Sequence, residues 1–404
     1  MPELQSPTEV ASWLGQQRRR ERLSVAPLVT RQLDEASHDI VTECVAVTGY
    51  SSTDVEALWA DQRQYLSVLP LAADSVMQDA VFDGIRKRSQ TLRRGPIGKL
   101  LICIPSNAPV PLLAMLAATA LTVGDTCVVA GPRLLAPLIR RVLSCFDGLH
   151  GLAYFAGSPR TLVADGLASF DHVYFMGSSS AYASVASACV NAGAGLTFEG
   201  QGNGLVYVGS TPREQLAETV RLLLEAKRFC NGRMCSAPNS IMVHRSAYTE
   251  FLATWTDLCP KYKLTGPVDQ LVSDCTAAWL KENTIIGGST GVSYPVLCSV
   301  EEPAALPSWE LFAPVAAVCS VNSYDGAERQ LTANRYRLQA SYFGDDPQEL
   351  ERFEGLNYAR LCININPIDQ DPIAPWGNYG LSGHSPVETF IDKLTRRQLV
   401  EVGT

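Results

Sequence analysis

Cys235 lies in the run Cys230-Asn231-Gly232-Arg233-Met234-Cys235-Ser236-Ala237-Pro238, behind a helical stretch and ahead of a strand-like one. A thiol on a loop at such a boundary can face a cleft. The neighbouring Arg233 would favour the thiolate, the form that attacks a carbonyl carbon. A buried structural cysteine fits the same run. Glu199, in Phe198-Glu199-Gly200-Gln201-Gly202-Asn203-Gly204, stands at a strand end and is followed by three glycines in alternate positions. Such glycines imply close backbone packing, so the carboxylate is either a general base in a crevice or an acid on a surface loop. Asn107 follows an apolar strand and precedes a helix, where its amide can donate to an oxyanion or simply form a turn. Gly177-Ser178-Ser179-Ser180 opens a helix after the run His172–Met176. Free backbone N–H groups there suit a pyrophosphate, although the full Gly-x-Gly-x-x-Gly pattern is absent. Glu310, in Trp309-Glu310-Leu311-Phe312-Ala313-Pro314-Val315, precedes a buried strand as a ligand-holding or a capping acid.

Residues so far apart along the chain need a scaffold that gathers them. Strand-like runs at Lys99–Pro105, Thr126–Ala130, Leu152–Ala156 and His172–Met176 alternate with helical ones at Pro111–Leu121, Pro132–Phe146 and Ser180–Asn191. That alternation predicts a parallel, doubly wound sheet. A second unit starts near Gly200. Its strands are expected at Leu205–Val208, Ser240–Val243, Val315–Val321, Ala340–Phe343 and Leu361–Ile365, with helices over Pro212–Cys230 and Ala247–Trp255. Residues 1 to about 90 read as helical, through Thr30–Val47 and Val55–Phe82, with Ser51–Asp54 as loop and N-cap between them. The fold class is therefore α/β, with two tandem doubly wound halves behind an N-terminal helical segment.

Taken together and in order, these motifs resemble the aldehyde dehydrogenase superfamily over roughly residues 90 to 400. Gly95-Pro96-Ile97-Gly98 through Pro105-Ser106-Asn107-Ala108-Pro109 resembles the entry into its first cofactor-domain strand and the loop holding the oxyanion Asn. His172-Val173-Tyr174-Phe175-Met176-Gly177-Ser178 resembles its Phe-Thr-Gly-Ser turn, and Glu199-Gly200-Gln201-Gly202-Asn203 its Glu-Leu-Gly-Gly-Lys motif. Asn231 through Ala237 resembles its Gly-Gln-x-Cys-x-Ala motif, and Glu310 through Val315 its Glu-x-Phe-Gly-Pro-Val motif. Trp376-Gly377-Asn378-Tyr379-Gly380-Leu381-Ser382-Gly383 resembles its closing Phe-Gly-Gly-x-x-x-Ser-Gly segment.

The resemblance implies a Rossmann-like cofactor domain over residues 1–200 and a catalytic domain over 201–385. Residues 386–404 would be a tail that returns to the cofactor domain or lends Gln398–Val402 as an edge strand to a homodimer. It implies NAD(P)-dependent oxidation of a small-molecule aldehyde to an acid. Cys235 would be the nucleophile, Asn107 and the Cys235 N–H the oxyanion donors, and Glu199 the base that hydrolyses the thioester. Glu310 would hold the nicotinamide ribose, with Phe312, Gly177 and Ser178 also in the cofactor site. Departures are visible. Val129-Ala130-Gly131-Pro132-Arg133 replaces a Lys-Pro-Ser-Glu-like string, and Arg133 stands where a cation could pair with a 2′-phosphate, favouring NADP over NAD. Tyr182 replaces a second Gly and would crowd the cofactor, Asn203 replaces a Lys, and Ala313 replaces a Gly. No oligomerisation hairpin is evident before Gly95. Two alternatives share the fold: an NADPH-dependent reductase of acyl thioesters, and a non-catalytic scaffold.

Composition narrows the classes. The 404 residues are 46% apolar and 18% charged, enough for two large cores. A net charge of -8 argues against nucleic acid as a partner. The one basic cluster, Arg18-Arg19-Arg20 with Arg22, reads as a solvated helix face or a partner or membrane-surface contact. The twelve cysteines sit largely in apolar runs such as Leu101–Ile104, as buried thiols of a reducing compartment do. No Cys-x-x-Cys pair or His cluster has metal spacing. Met1–Gly15 lacks the apolar run of a secretory signal, and Val110–Val123 is too short to span a bilayer. A cytoplasmic enzyme without metal, membrane or nucleic acid is expected.

Overall fold

Thr126–Ala130 is buried at every position, as a strand must be when helices cover both faces of its sheet. Runs of this kind organise the chain, which a computed structural model describes over residues 1–17, 25–83, 89–210, 213–286, 289–374, 377 and 387–402. The Arg18–Arg22 cluster and, save Gly377, the segment Trp376–Gly383 lie outside the described residues. In chain order the early strands are β1 (Glu3–Leu4), β2 (Ala80–Asp83), β3 (Ser89–Pro96), β4 (Lys99–Cys103), β5 (Thr126–Ala130), β6 (Leu152–Phe155), β7 (His172–Met176) and β8 (Gly195–Glu199). The later ones are β9 (Gly204–Val208), β10 (Pro238–His244), β11 (Thr284–Ile286), β12 (Val296–Ser299), β13 (Val315–Val321), β14 (Gln339–Phe343), β15 (Arg360–Ile363) and β16 (Thr395–Val402).

They form three sheets. The first is parallel throughout, in the order β1-β6-β5-β4-β7-β8. The second runs β11-β12-β13-β10-β9-β14-β15 and is parallel except at β11. The strand order of the first sheet reverses between β4 and β7, and such a switch point opens a crevice at the carboxyl ends of the strands. The helix Pro109–Val123, buried at every residue but Leu112, packs in the core beside it. It is an interior helix, as its sequence implies, and among the described residues no helix is long and apolar enough to cross a membrane.

Three expectations are corrected here. The helix expected over Val55–Phe82 ends at Val76, and β2 follows. The N-terminal segment is not purely helical, because Glu3 and Leu4 add a parallel edge strand beside β6. A hairpin does precede Gly95: β2 and β3 pair antiparallel, and β16 completes a third sheet on the other side of β3. β3 escaped notice because Ser89–Pro96 carries Gln, Thr and two Arg and is mostly half-exposed, so it lacks the apolar alternation that marks a strand. Its register comes from a partner at the far end of the chain, Val402 opposite Ser89 through Thr395 opposite Pro96.

Candidate active site

A cavity of about 910 Å³ lies between the carboxyl edge of the first sheet and the amino edge of the second. Asn107 enters it from the loop after β4, Gly177 and Ser178 from the turn after β7, and Glu199 from the end of β8. From the second sheet come Cys235, just ahead of β10, and Glu310 and Phe312, ahead of β13. Arg133 is the exception. It is exposed at the start of the turn Arg133–Leu135 and is not among the lining residues, although Pro132 is. Among the described residues the cation that lines the cavity is Arg160, in the helix after β6.

The loop carrying Cys235 is held in an unusual backbone shape. Cys230, Asn231 and Gly232 take left-handed φ values of 48°, 51° and 67° in succession, a conformation costly for side-chain-bearing residues unless the surroundings impose it. They do impose it. Asp54 accepts from the Cys230 N–H at 3.1 Å and pairs with Arg228 at 2.7 Å. The Asn231 amide donates to the Gly49 carbonyl at 3.0 Å and to Thr265 Oγ1 at 2.9 Å. Gly232 is obligatory, since a Cβ there would stand 2.3 Å from the Ala313 carbonyl oxygen. Arg233 does not serve the thiol: its guanidinium donates to the Leu271 and Thr48 carbonyls, at 3.0 and 3.4 Å. Burial, then the Glu310 and Glu199 carboxylates, push the half-buried Cys235 thiol up to about 12.

The loop after Glu199 is fitted against the same cysteine. A Cβ on Gly202 would lie 1.6 Å from the Cys235 carbonyl oxygen, and the Gly202 N–H donates to Glu310 Oε1 at 3.3 Å. Asn203, at φ 45°, has its side chain oxygen bound by Asn239 Nδ2 at 2.6 Å. Asn239 also donates to the Trp309 carbonyl at 3.0 Å and accepts from the Leu311 N–H at 2.7 Å. One buried amide thus joins the Glu199 loop to the Glu310 loop, a role that its place in a strand gave no sign of. Asn107 is fixed by the Tyr50 hydroxyl on its carbonyl, at 2.9 Å, and donates from Nδ2 to the Arg233 carbonyl at 3.0 Å. Nδ2 carries a second hydrogen.

Burial raises Glu199 to about 7, opposed by a hydrogen bond from the Tyr174 hydroxyl. It raises Glu310 as well, opposed by the Gly202 N–H and by buried Lys227, whose own ammonium burial depresses. The cavity suits a nicotinamide dinucleotide on structural grounds. Ser178 stands directly ahead of the 14-residue helix Ser179–Ala192, without a side-chain cap bond, and the helix's amino end faces the cavity. Ser179 Oγ and the Nε1 of cavity-lining Trp309 are buried without a hydrogen-bond partner among the described residues. Tyr182, expected to crowd that cofactor, packs instead on Phe198 with ring centroids 4.6 Å apart and does not line the cavity. Among the described residues no cluster of metal-ligating side chains occurs.

The chain is similar to known proteins. The family model described as "Aldehyde dehydrogenase family" matches residues 5–283. N-succinylglutamate 5-semialdehyde dehydrogenase of Novosphingobium aromaticivorans is 26% identical over 91% of this chain and 81% of its own length. The chloroplastic betaine aldehyde dehydrogenase of Amaranthus hypochondriacus is 23% identical over 92% of this chain and 80% of its own. Among solved structures, a betaine aldehyde dehydrogenase from Staphylococcus aureus superposes with a TM-score of 0.85 at 18% identity, over 98% of this chain and 88% of that one. The glyceraldehyde-3-phosphate dehydrogenase GapN from Methanocaldococcus jannaschii, complexed with NADP, gives 0.80 at 18% identity, over 98% and 92%. The two solved structures speak for the fold; the family match, spanning well over half of the residues, establishes that this chain belongs to the aldehyde dehydrogenase family and is an NAD(P)-dependent oxidoreductase.

Proposed function

We propose that Cys235 is the nucleophile through which this enzyme oxidises an aldehyde to a carboxylic acid. The observation that carries the reading is the convergence of the Cys235 thiol, the Asn107 amide and the Glu199 and Glu310 carboxylates on a single cavity from two sheets. The Cys235 sulfur adds to the aldehyde carbon, and the new alkoxide is received by the Asn107 amide and the Cys235 N–H. The bound dinucleotide supplies the hydride acceptor. Glu310 and Phe312 would hold it beside the sulfur, and Gly177 and Ser178 would receive its pyrophosphate. Glu199 then takes a proton from water, whose oxygen attacks the thioester carbon and expels the Cys235 thiolate. A panel of aldehydes with NAD and with NADP tests this reading. Acyl-CoA with NADPH tests the acyl-thioester reductase alternative, and failure of every aldehyde with both cofactors would sink the oxidative reading.

Cofactor preference would follow Arg160 rather than Arg133, because only Arg160 lines the cavity. A guanidinium there can receive a 2′-phosphate by charge-assisted hydrogen bonds, which favours NADP. Arg160→Glu is expected to raise the KM for NADP by about 10- to 100-fold and to leave that for NAD nearly unchanged. An unaltered NADP-to-NAD ratio of kcat/KM would discard Arg160.

The division into a cofactor domain over 1–200 and a catalytic domain over 201–385 is supported by the first sheet ending at Glu199 and the second beginning at Gly204. The segment 386–404 would return to the cofactor side, where the helix Val387–Lys393 packs on the helix Ser52–Val76. β16 is an edge strand, and Leu399 and Val402 are exposed on it. Exposed edges invite pairing with another chain. A homodimer joined there is expected to sediment as twice the 43.8 kDa chain mass; a proline in place of Leu399 should shift it to monomer.

A further inference from the structure

Tyr174 and Glu199 lie on neighbouring strands. The register of β7 with β8 sets Tyr174 opposite Thr197 and Met176 opposite Glu199, so both side chains point from the same face of the sheet. A diagonal pair of this kind is within reach of an aromatic side chain, and the Tyr174 hydroxyl donates to Glu199 Oε1. We propose that Tyr174 is a positioning residue of the hydrolytic step: its hydroxyl holds the Glu199 carboxylate ionised and oriented, so that the base is ready for water near neutral pH. The inference rests on Glu199 being that base.

The ring is not free to leave. Tyr174 is wholly buried, and its ring meets Phe390 edge-on at 5.8 Å and 85°. Phe390 meets Tyr65 at 6.0 Å, and the Tyr65 hydroxyl is bonded to Thr119 Oγ1 at 2.5 Å. Phe390 belongs to the helix Val387–Lys393, so the far end of the chain buttresses the donor. Among the described residues, Tyr174 from β7 and Cys235 from the catalytic loop face Glu199. Tyr65 stands near Tyr174, and Glu310 near Cys235. Two of these neighbours, Glu310 and a Cys235 thiolate, carry negative charge when ionised, and burial adds its own penalty to the Glu199 carboxylate. A neutral donor therefore favours the ionised form of a carboxyl that burial raises. The phenol remains that donor at every working pH, because burial and the Glu199 charge hold its own proton on.

In the hydrolytic step a water O–H bond breaks, its proton goes to Glu199, its oxygen joins the acyl carbon, and the carbon–sulfur bond to Cys235 breaks with the electron pair leaving on sulfur. Tyr174→Phe removes only the hydroxyl. The pre-steady-state burst of reduced cofactor should keep its wild-type amplitude and rate. The alkaline-rising limb of acyl-enzyme hydrolysis should move up by about one to two pH units, which lowers kcat about tenfold at pH 7 and restores it at higher pH. A midpoint that stays put or moves down overturns the proposal. Glu199→Gln separates the two claims. A Gln variant that hydrolyses the acyl-enzyme at the wild-type rate removes the base itself, whereas a dead Gln variant beside an unshifted Phe variant removes only Tyr174. Should Tyr174→Phe fold poorly, infrared titration of the intact enzyme decides. One tyrosine C–O band should shift together with Glu199 ionisation and stay fixed in Glu199→Gln; no tyrosine band following Glu199 overturns the proposal.

Discussion

Cys235→Ala is expected to abolish aldehyde-dependent reduction of NAD(P), by about 10⁴-fold or more, because the sulfur that forms the covalent adduct is gone. The fold should survive. The side chain is half-buried and Ala removes a single atom from a site that already opens on a cavity, so the unfolding free energy should change by less than about 1 kcal/mol. A second cysteine sharpens the test. Cys275 is exposed and lines the same cavity, from the first turn of the helix Asp274–Glu282. Cys275→Ala should retain turnover. If instead the Cys275 variant is dead and the Cys235 variant active, the assignment of the nucleophile is wrong. The thiol's elevated value also fixes a sign. The nucleophilic thiolate is the deprotonated form, so adduct formation should quicken as pH rises through the neutral and alkaline range.

Gly202→Ala is expected to be nearly as damaging without touching a reacting atom. The added methyl would meet the carbonyl oxygen, carbonyl carbon and Cα of Cys235 at 1.6, 2.5 and 3.0 Å. All three are backbone atoms, so no rotamer change relieves the clash, and either the cysteine loop or the Glu199 loop must move. A displacement of about 1 Å at a catalytic group costs on the order of 100-fold in rate. Overpacking of this severity should also lower stability by about 2–3 kcal/mol. Gly193→Ala serves as the contrast. That residue has φ 71° but nothing within 4 Å of its missing Cβ, so it should lose about 1 kcal/mol and no activity. Wild-type kcat in Gly202→Ala would mean that the two loops do not bear on each other as described.

The strands that sit deepest were the most legible. Thr126–Ala130, His172–Met176 and Val315–Val321 occupy the spans that their apolar runs imply, because burial on both faces leaves a continuous signature. β1 is two residues long, too short to show any period, and β3, the polar central strand of the third sheet, is held by pairing with β16 across most of the chain, whereas the edge strand over Gln398–Val402 was legible. The site residues were legible through motif order rather than through their own chemistry, and each was gathered to the cavity except Arg133. Charge near a residue in sequence proved a poor guide to charge near it in space. Arg233, two positions from Cys235, is turned toward the Leu271 and Thr48 carbonyls, whereas the acids that act on the thiol come from 36 and 75 positions away. Tyr174 reads as one more aromatic in a buried strand, and nothing in the linear order reveals that its hydroxyl reaches across to the next strand.

Asn239 has a wider consequence. Because this one amide clasps the Asn203 side chain on one side and the Trp309–Leu311 backbone on the other, the segments bearing the two acids cannot travel independently. If the two acids serve successive steps of the reaction, variants that retune one step against the other are to be sought in the groups that steer carboxylate rotation rather than in separate movement of either segment.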